Sequence, residues 1–187
     1  MADPKRLIVG ITGGSGAHLG LRLLEVLAPT SWEIHLVITQ AGRKVIEHET
    51  GRDARSLADL ASVVHAPDDL FAPIASGSYL THGMVVVPCS MKTLAGIAAG
   101  FADNLLLRSA DVCLKERRRL VLVARESPLS LIQIENMRRV TQAGAVVLPP
   151  VLTMYTRPTT IDEVVDQIVG KVLDLLSVDG EVGRRWG

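Results

Sequence analysis

The chain contains few of the residues that mark several common classes of protein. Among its 187 residues only two are cysteine, and aromatic residues make up 3%. Two cysteines are too few for a disulfide framework, and Cys89 and Cys113 both lie in apolar stretches, so we expect buried free thiols in a reducing, cytoplasmic compartment. With so few aromatic rings, the core has to be built from alanine, valine, isoleucine and leucine, as buried parallel strands and their covering helices require.

Charge imbalance, long apolar runs and metal-ligand spacing are also missing. Lysine plus arginine and aspartate plus glutamate both number 20, so the formal net charge is zero, which argues against a general nucleic-acid or membrane-surface binder. No apolar run is long enough to span a bilayer, we expect no signal peptide, and the 5 histidines are scattered without the spacing of metal ligands. The length suits one compact domain over residues 1–187.

The hydrophobic pattern alternates between strands and helices. We predict strands at residues 7–12, 32–39, 84–87, 120–123 and 145–148, and helices at residues 16–27, 40–49, 90–99, 104–115, 129–142 and 162–176. Residues 32–39 alternate apolar with polar side chains, as an outer or partly covered strand would, and residues 67–82 are predicted as a loop. Strands that alternate with helices favour right-handed crossovers and an α/β fold with a mainly parallel, doubly wound sheet.

A glycine-rich turn, Gly13 to Gly16, joins the first strand to the first helix. Backbone amides at a helix N-terminus bind anions, glycines allow a phosphate to approach closely, and Ser15 adds a hydroxyl donor and a helix cap. The spacing is not a full dinucleotide fingerprint, and Thr39 rather than an acidic residue ends the second strand. A single phosphate, as in a mononucleotide such as FMN, fits better than a pyrophosphate; a tight turn before a capped helix is the alternative.

Polar residues follow two later strands as well. Ser90 and Thr93 lie at a helix start and can donate to a phosphate or to an isoalloxazine edge, although a plain capping role for Ser90 is equally simple. Arg125 and Glu126 end the next strand. Arg125 can pair with a flavin or phosphate oxygen, and Glu126 can either move a proton or pair with a nearby basic residue.

Three further residues stand out by position. Glu49 ends a helix, where an acidic residue works against the helix dipole, and this conflict is a hint of function. Tyr155 lies in the loop 151–159, and Trp186 lies in a glycine-rich tail, residues 178–187. Because an aromatic face can stabilise a cation, both rings are candidate site residues, and we expect the tail to cover the active site or a neighbouring subunit.

These residues, in this order, resemble the UbiX/Pad1 family of flavin prenyltransferases. The resemblance runs over nearly the whole chain, through RLIVGITGGSGA at Arg6, ETG at Glu49, ASGSY at Ala75, VPCSMKTLAGIAAG at Val87, DNLLLRSADVCLKERR at Asp103, VARESPLS at Val123, AGAVVLPP at Ala143, MYTRP at Met154 and RRWG at Arg184. It implies a Rossmann-like flavoprotein fold of three layers and a homododecamer. It also implies a reaction that joins the dimethylallyl group of dimethylallyl phosphate to N5 and C6 of reduced FMN, without a metal, and delivers prenylated FMN to a UbiD-type decarboxylase.

The resemblance also implies roles for individual residues, some of them acting across a subunit interface. Catalytic roles fall to Ser15, Glu49, Lys115, Glu126 and Trp186. FMN binding falls to Gly13, Gly14, Ser15, Thr39, Ser90, Met91, Lys92, Thr93 and Arg125, and prenyl-phosphate binding to Tyr155, Lys171, Arg108 and Arg185. Lys171 stands where close relatives often have arginine, so it keeps the positive charge but loses the bidentate fork.

Two other functions are compatible with a flavin site. A flavin-dependent decarboxylase acting on a cysteine-like or pantothenate-derived substrate would share the sheet, but it should carry a catalytic histidine and an asparagine-rich clamp, and no such clamp lies near Met91 or Met154. A non-catalytic flavin-binding subunit would not need Glu49, Glu126 or the basic residues. The recipient decarboxylase, and the choice between a prenyl monophosphate and a diphosphate, stay open.

Overall fold

Six strands form one parallel sheet in the residues that the structure describes. The computed structural model describes residues 5–180, 182 and 183. Its strands are β1 (Arg6–Ile11), β2 (Glu33–Ile38), β3 (Val63–His65), β4 (Gly83–Cys89), β5 (Arg119–Ala124) and β6 (Val146–Val147), in the spatial order β3-β2-β1-β4-β5-β6. Its helices are α1 (Ala17–Leu27), α2 (Gln40–Thr50), α3 (Met91–Ala99), α4 (Leu105–Lys115), α5 (Leu131–Gln142) and α6 (Ile161–Leu176).

Helices cover both faces of this sheet. Successive side chains of a strand point to opposite faces, so Leu7, Val9 and Ile11 of β1 join the buried cluster beneath α1, α2 and α6. Ile8 joins the other cluster, beneath α3, α4 and α5. The predicted three-layer, doubly wound α/β fold is confirmed, and it is Rossmann-like. Apart from Met84 and two cysteines, the buried apolar side chains of the described residues are all alanine, valine, isoleucine or leucine, as the composition predicted.

The strand β3 was not predicted, and its pairing with β2 makes β2 an interior strand of the sheet. β3 has only three residues, too few for a recognisable period, and it pairs with β2 on the side away from β1. β2 is therefore an interior strand, and the prediction of an outer or partly covered strand was wrong. The alternation was misleading because the polar residue His35 is buried, with its ring nitrogens 2.9 Å from His65 Nε2 and 2.9 Å from Glu33 Oε1.

The topological switch point of the sheet lies at its carboxyl edge, where the strands end, between β1 and β4, and doubly wound sheets form a ligand crevice at this point. From β1 the chain passes through α1 to β2 on one side, whereas β4 leads through α3 and α4 to β5 on the other. The ladder between the two strands ends at Gly10 and Val86, and the segments beyond it turn to opposite faces. Ligands of doubly wound sheets bind at such a switch point, so the topology brings the glycine turn and the Ser90 segment to one site.

Both cysteines are buried and free. Burial raises the pKa of the Cys89 thiol and of the Cys113 thiol to about 12, so neither is a thiolate at neutral pH. Among the described residues, no helix has the length and apolarity needed to cross a bilayer, and no group of three or more potential ligands is placed to hold a metal ion.

Candidate functional site

The glycine turn packs tightly against two neighbouring helix starts. A Cβ atom on Gly14 would lie 3.4 Å from the backbone nitrogen of Ser90, and one on Gly13 would lie 2.6 Å from the Cβ of Ala41. A side chain at Gly13 would force the turn away from α2, whereas a Cβ at Gly14 would make van der Waals contact with the Ser90 backbone. The turn, the start of α2 and the start of α3 therefore form one continuous surface at the carboxyl edge.

The N-terminus of α1 is capped by a carboxylate from another helix. Gly16 is the N-cap residue, in a left-handed conformation with φ 109°, and has no side chain that could cap. Glu49 Oε2 accepts hydrogen bonds from the amides of Gly16 and Ala17, at 2.9 and 2.8 Å. The prediction that Ser15 caps α1 was wrong, because the turn places Gly16 rather than Ser15 at that position. Glu49, which opposes the dipole of α2, stabilises the positive end of α1.

The Glu49 carboxyl group is ionised at neutral pH. Burial raises the pKa of this carboxyl group, and hydrogen bonds from the Ser15 hydroxyl and from the amides of Ala17 and Gly16 lower it. The hydrogen bonds together outweigh burial, so the pKa of Glu49 lies below its ordinary value of 4.5. The Ser15 hydroxyl is thus held beside a fixed negative charge. Since a protein carboxylate already occupies the two α1 amides, a bound phosphate has to use other donors.

Hydroxyl-bearing residues lie at the next two helix starts. Thr39 caps α2, where its Oγ1 accepts from the amide of Gly42 at 3.0 Å. Ser90 caps α3 by accepting from the amide of Thr93 at 3.3 Å, and its hydroxyl donates to Thr93 Oγ1 at 3.1 Å. The capping role considered for Ser90 is therefore confirmed. The start of α3 lies at the crevice.

Four more predicted residues lie at or next to this edge. On α3, Met91 packs against the core and Lys92 is exposed. Arg125 and Glu126 follow β5 with exposed side chains, and the amide of Arg125 donates to the carbonyl of Cys89 at 3.2 Å. Glu126 Oε1 accepts from the amide of the next residue at 3.0 Å, and within the described residues it makes no ion pair. Its carboxylate is therefore available to a ligand.

Tyr155 and Lys171 line a cavity of about 400 Å³ between α6 and the loop after β6. The side chain of Gln167 links this loop to α6: its Oε1 accepts from Thr153, and its Nε2 donates to Thr156. These two hydrogen bonds flank Tyr155 on both sides in sequence. Sequence reasoning missed Gln167, since a glutamine on a helix gives no signal until its partners in the loop are known.

Lys115 does not reach the carboxyl edge of its own chain. It is the last residue of α4, just before β5 begins, and its Nζ pairs with Glu116 beside Gly77. Glu126 follows the other end of β5. At about 3.3 Å per residue, a strand of this length separates the two side chains by roughly 20 Å.

Arg108 lies nearer the carboxyl edge on the same helix, but its charge is engaged within the chain. Its Nε donates to the carbonyl of Ala75 at 3.0 Å, and a terminal nitrogen pairs with Asp111 at 2.6 Å.

The described part of the tail runs back along α6. The amide of Val178 donates to the carbonyl of Leu173 at 3.0 Å, and a Cβ on Gly183 would lie 2.9 Å from the carbonyl of Asp166, two turns earlier in the helix. Val182 and Gly183 also line the cavity that contains Tyr155 and Lys171. Arg185 and Trp186 lie outside the described residues.

A parallel, doubly wound sheet in the order β3-β2-β1-β4-β5-β6, with a glycine turn and hydroxyl-bearing helix starts at its switch point, defines a nucleotide-binding protein of the Rossmann-like kind. The comparisons agree and go further. The Flavoprotein family model matches residues 1–173. The chain is 45% identical over 183 residues to the flavin prenyltransferase PAD1 of Saccharomyces cerevisiae, covering 98% of this chain and 76% of that protein. It therefore belongs to the Flavoprotein family and, within it, to the UbiX-like flavin prenyltransferases.

Two solved structures are close to the whole fold. One is UbiX (PadA1) in complex with FMN and dimethylallyl pyrophosphate, with a TM-score of 0.96, 48% identity, and coverage of 98% of this chain and 97% of that one. The other is a dodecameric FMN-dependent UbiX-like decarboxylase from Escherichia coli O157:H7, with a TM-score of 0.95, 49% identity, and coverage of 97% and 99%.

Proposed function

We propose that this protein is a flavin prenyltransferase that joins the dimethylallyl group of dimethylallyl phosphate to N5 and C6 of reduced FMN. The observation that carries the proposal is the convergence of four strand ends on one crevice. There the glycine turn packs against the start of α3, Thr39 and Ser90 carry hydroxyls at helix starts, and Arg125 adds a positive charge. Membership of the prenyltransferase family supports the same reading.

The chemistry needs a positive environment for the departing phosphate and a water-poor pocket for the allylic fragment. Lys171 and Tyr155 share a cavity in which the ammonium group can hold the phosphate and the ring face can stabilise allylic positive charge. As N5 bonds to C1, the bond from C1 to the phosphate oxygen breaks, phosphate leaves and N5 loses its proton. The double bond of the prenyl group then takes up a proton at C2 while C3 bonds to C6, and the C6 proton is released. Glu126 is proposed to move the proton released from C6, Ser15 to contact FMN, and Glu49 to lie beside the prenyl phosphate.

The remaining basic residues are proposed to come from a neighbouring subunit. Within one chain Lys115 precedes the amino end of β5 and Glu126 follows its carboxyl end, and the proposed site needs both residues. The dodecameric solved relative supports an assembly of this kind, and we propose a homododecamer. In it, Arg108 and Lys115 of one chain would face the crevice of another, while residues 178–187, including Arg185 and Trp186, would cover a site.

The product is proposed to be prenylated FMN, delivered to a UbiD-type decarboxylase in the cytoplasm. FMN is then a substrate as well as a ligand. The two buried free thiols fit a reducing compartment.

Mass spectrometry under anaerobic conditions tests the proposal directly. The protein is incubated with reduced FMN and dimethylallyl phosphate, and parallel samples contain dimethylallyl diphosphate, no prenyl donor, or oxidised FMN. We expect a flavin heavier by one C5H8 unit only where reduced FMN and a prenyl donor are both present, together with inorganic phosphate released from the monophosphate or inorganic diphosphate released from the diphosphate. Unmodified FMN in every sample would exclude the activity, and the two donor samples decide between mono- and diphosphate.

A further inference from the structure

Thr12, between β1 and the glycine turn, links the two halves of the crevice through a buried hydroxyl. Its side chain is 1% exposed, its Oγ1 donates to the carbonyl of Pro88 at 2.7 Å, and the same atom accepts from the amide of Ser90 at 2.8 Å. The backbone amide of Thr12 also donates to the Pro88 carbonyl, at 3.3 Å. One side chain therefore gives the Ser90 amide an acceptor and gives the Pro88 carbonyl a second donor.

This link lies where the backbone ladder can no longer hold the strands together. The regular pairing of β1 with β4 ends at Gly10 and Val86. Pro88 has no amide hydrogen, and the Ser90 amide belongs to the first turn of α3, whose donors lack partners within the helix. The Thr12 hydroxyl replaces the missing ladder bonds at the point where the two strands diverge.

The two segments joined in this way carry the predicted flavin contacts. Gly13 and Gly14 follow Thr12 directly, and Ser90 is the N-cap of α3. The Gly14 backbone is so close to Ser90 that an added Cβ would touch the Ser90 nitrogen at 3.4 Å. We infer that Thr12 is a positioning residue for the flavin, acting through the glycine turn and Ser90 rather than by contact. The inference rests on the proposed function, because it concerns FMN as the ligand of this crevice.

The test compares Thr12→Val, which keeps the shape but removes the hydroxyl, with Thr12→Ser, which keeps the hydroxyl. The FMN dissociation constant is measured by quenching of flavin fluorescence, and thermal unfolding of the FMN-free protein is followed separately. We expect Thr12→Val to weaken FMN binding about tenfold, the size of one lost hydrogen bond of ordinary strength, and Thr12→Ser to stay within about threefold of wild type.

Thr81→Val is the matched control. Thr81 is also a buried threonine, 8% exposed, but it lies before β4 at the amino edge, where its Oγ1 accepts from Arg118 at 3.3 Å. Thr81→Val should lower the thermal unfolding midpoint by about as much as Thr12→Val does, and it should leave the FMN dissociation constant unchanged. If Thr12→Val does not fold, Thr12→Ala is compared with Thr12→Ser, because these two variants differ by one hydroxyl. FMN binding is then measured on protein that shows a cooperative unfolding transition.

Each result has one meaning. Weaker binding by the hydroxyl-free variants and recovery by Thr12→Ser support the inference. A lower unfolding midpoint with an FMN dissociation constant within twofold of wild type would make Thr12 purely structural and overturn it. Absence of FMN binding by the wild-type protein would instead overturn the proposed function, and this inference with it.

Discussion

At the scale of single residues, the side chain of Glu126 contributes little to the stability of the fold. Its side chain is exposed, and its carboxylate accepts a hydrogen bond from the amide of the adjacent Ser127. Replacing it with glutamine keeps the size and an acceptor oxygen but removes the proton-transfer group. We expect Glu126→Gln to slow formation of prenylated FMN about 100-fold or more, while FMN affinity and the thermal unfolding midpoint stay at wild-type values.

The matched control for this change is Glu135→Gln, on the exposed face of α5, where Glu135 pairs with Arg138 at 2.8 Å. It removes one carboxylate far from the crevice and should leave turnover unchanged. Wild-type turnover by Glu126→Gln would remove the residue from the mechanism. Equal losses in both variants would point to a general effect of charge.

The sequence could predict a site residue when its role depends on its neighbours in the chain, but not when its partner is distant in sequence. Ser90, Arg125 and the glycine turn were recognisable because each directly follows a predicted strand. The role of Glu49 was not, because 33 residues separate it from the Gly16 amide that it binds, and only the folded arrangement of α1 and α2 brings them together. The Thr12 hydroxyl was missed for the same reason, since its partner is 78 residues away.

At the scale of elements, the loop between β6 and α6 depends on one side chain of the helix. Gln167 holds the loop through Thr153 and Thr156, and Tyr155 lies between them. Gln167→Ala removes both hydrogen bonds while keeping a good helix former. We expect the KM for the prenyl phosphate to rise about tenfold, because Tyr155 has to be ordered on binding, and FMN affinity to stay unchanged.

Gln142→Ala provides the control for this prediction. Gln142 is the last residue of α5, and its side chain accepts from Arg138 at 2.9 Å on an exposed surface. It should leave KM unchanged in steady-state assays. An unchanged KM in Gln167→Ala would show that the loop needs no anchor to α6.

The missed strand β3 is joined to β2 by a buried pair of histidines. His35 Nδ1 lies 2.9 Å from His65 Nε2, and His35 Nε2 lies 2.9 Å from Glu33 Oε1, so His35 carries its proton on Nε2. Tyr79, Arg6 and, near His65, Asp69 are the other titratable groups that face the pair. A three-residue strand gives little propensity signal, and this polar link is a tertiary reason for its existence.

The pair makes stability depend on pH. Burial lowers the pKa of His35, with the Glu33 hydrogen bond opposing it in part, and burial together with the charge of His35 lowers the pKa of His65. Below the ordinary value of 6.5 the unfolded chain therefore binds protons that the folded chain does not. The free energy of unfolding should fall as pH drops from 6.5 toward 5, by up to about 1.4 kcal/mol per pH unit for each histidine.

Chemical denaturation of wild type and His65→Gln between pH 5 and pH 8 measures this dependence. We expect a shallower slope below pH 6.5 in the variant, because one of the two histidines no longer titrates. His48→Gln, on the exposed surface of α2, should keep the wild-type slope. Identical slopes in wild type and His65→Gln would contradict the assignment to the histidine pair. Measurements stay above pH 5 because Glu33 and Glu49, whose pKa values are also lowered, contribute below 4.5.

At the scale of the whole molecule, the proposed catalytic groups are divided between the two edges of one sheet. Arg125 and Glu126 follow the carboxyl end of β5, and Lys115 precedes its amino end, roughly 20 Å away. The strand-helix alternation predicted the fold, but an isolated sequence could not tell which edges meet between chains. A rigid parallel strand cannot bring its two ends together, so a site that uses both groups has to contain two chains.

Subunit mixing tests this directly. Lys115→Ala and Glu126→Gln chains, each inactive alone, are co-expressed with different tags, and the mixed assemblies are isolated through both tags. In a symmetric assembly with random mixing, a site that takes Glu126 from one chain and Lys115 from another is intact in about one quarter of cases, so about one quarter of the wild-type rate should return. Arg125→Ala mixed with Glu126→Gln is the control: these neighbours serve the same crevice, no chain carries both, and no activity should return. Recovery in neither mixture would mean that Lys115 of one chain does not complete the site of another.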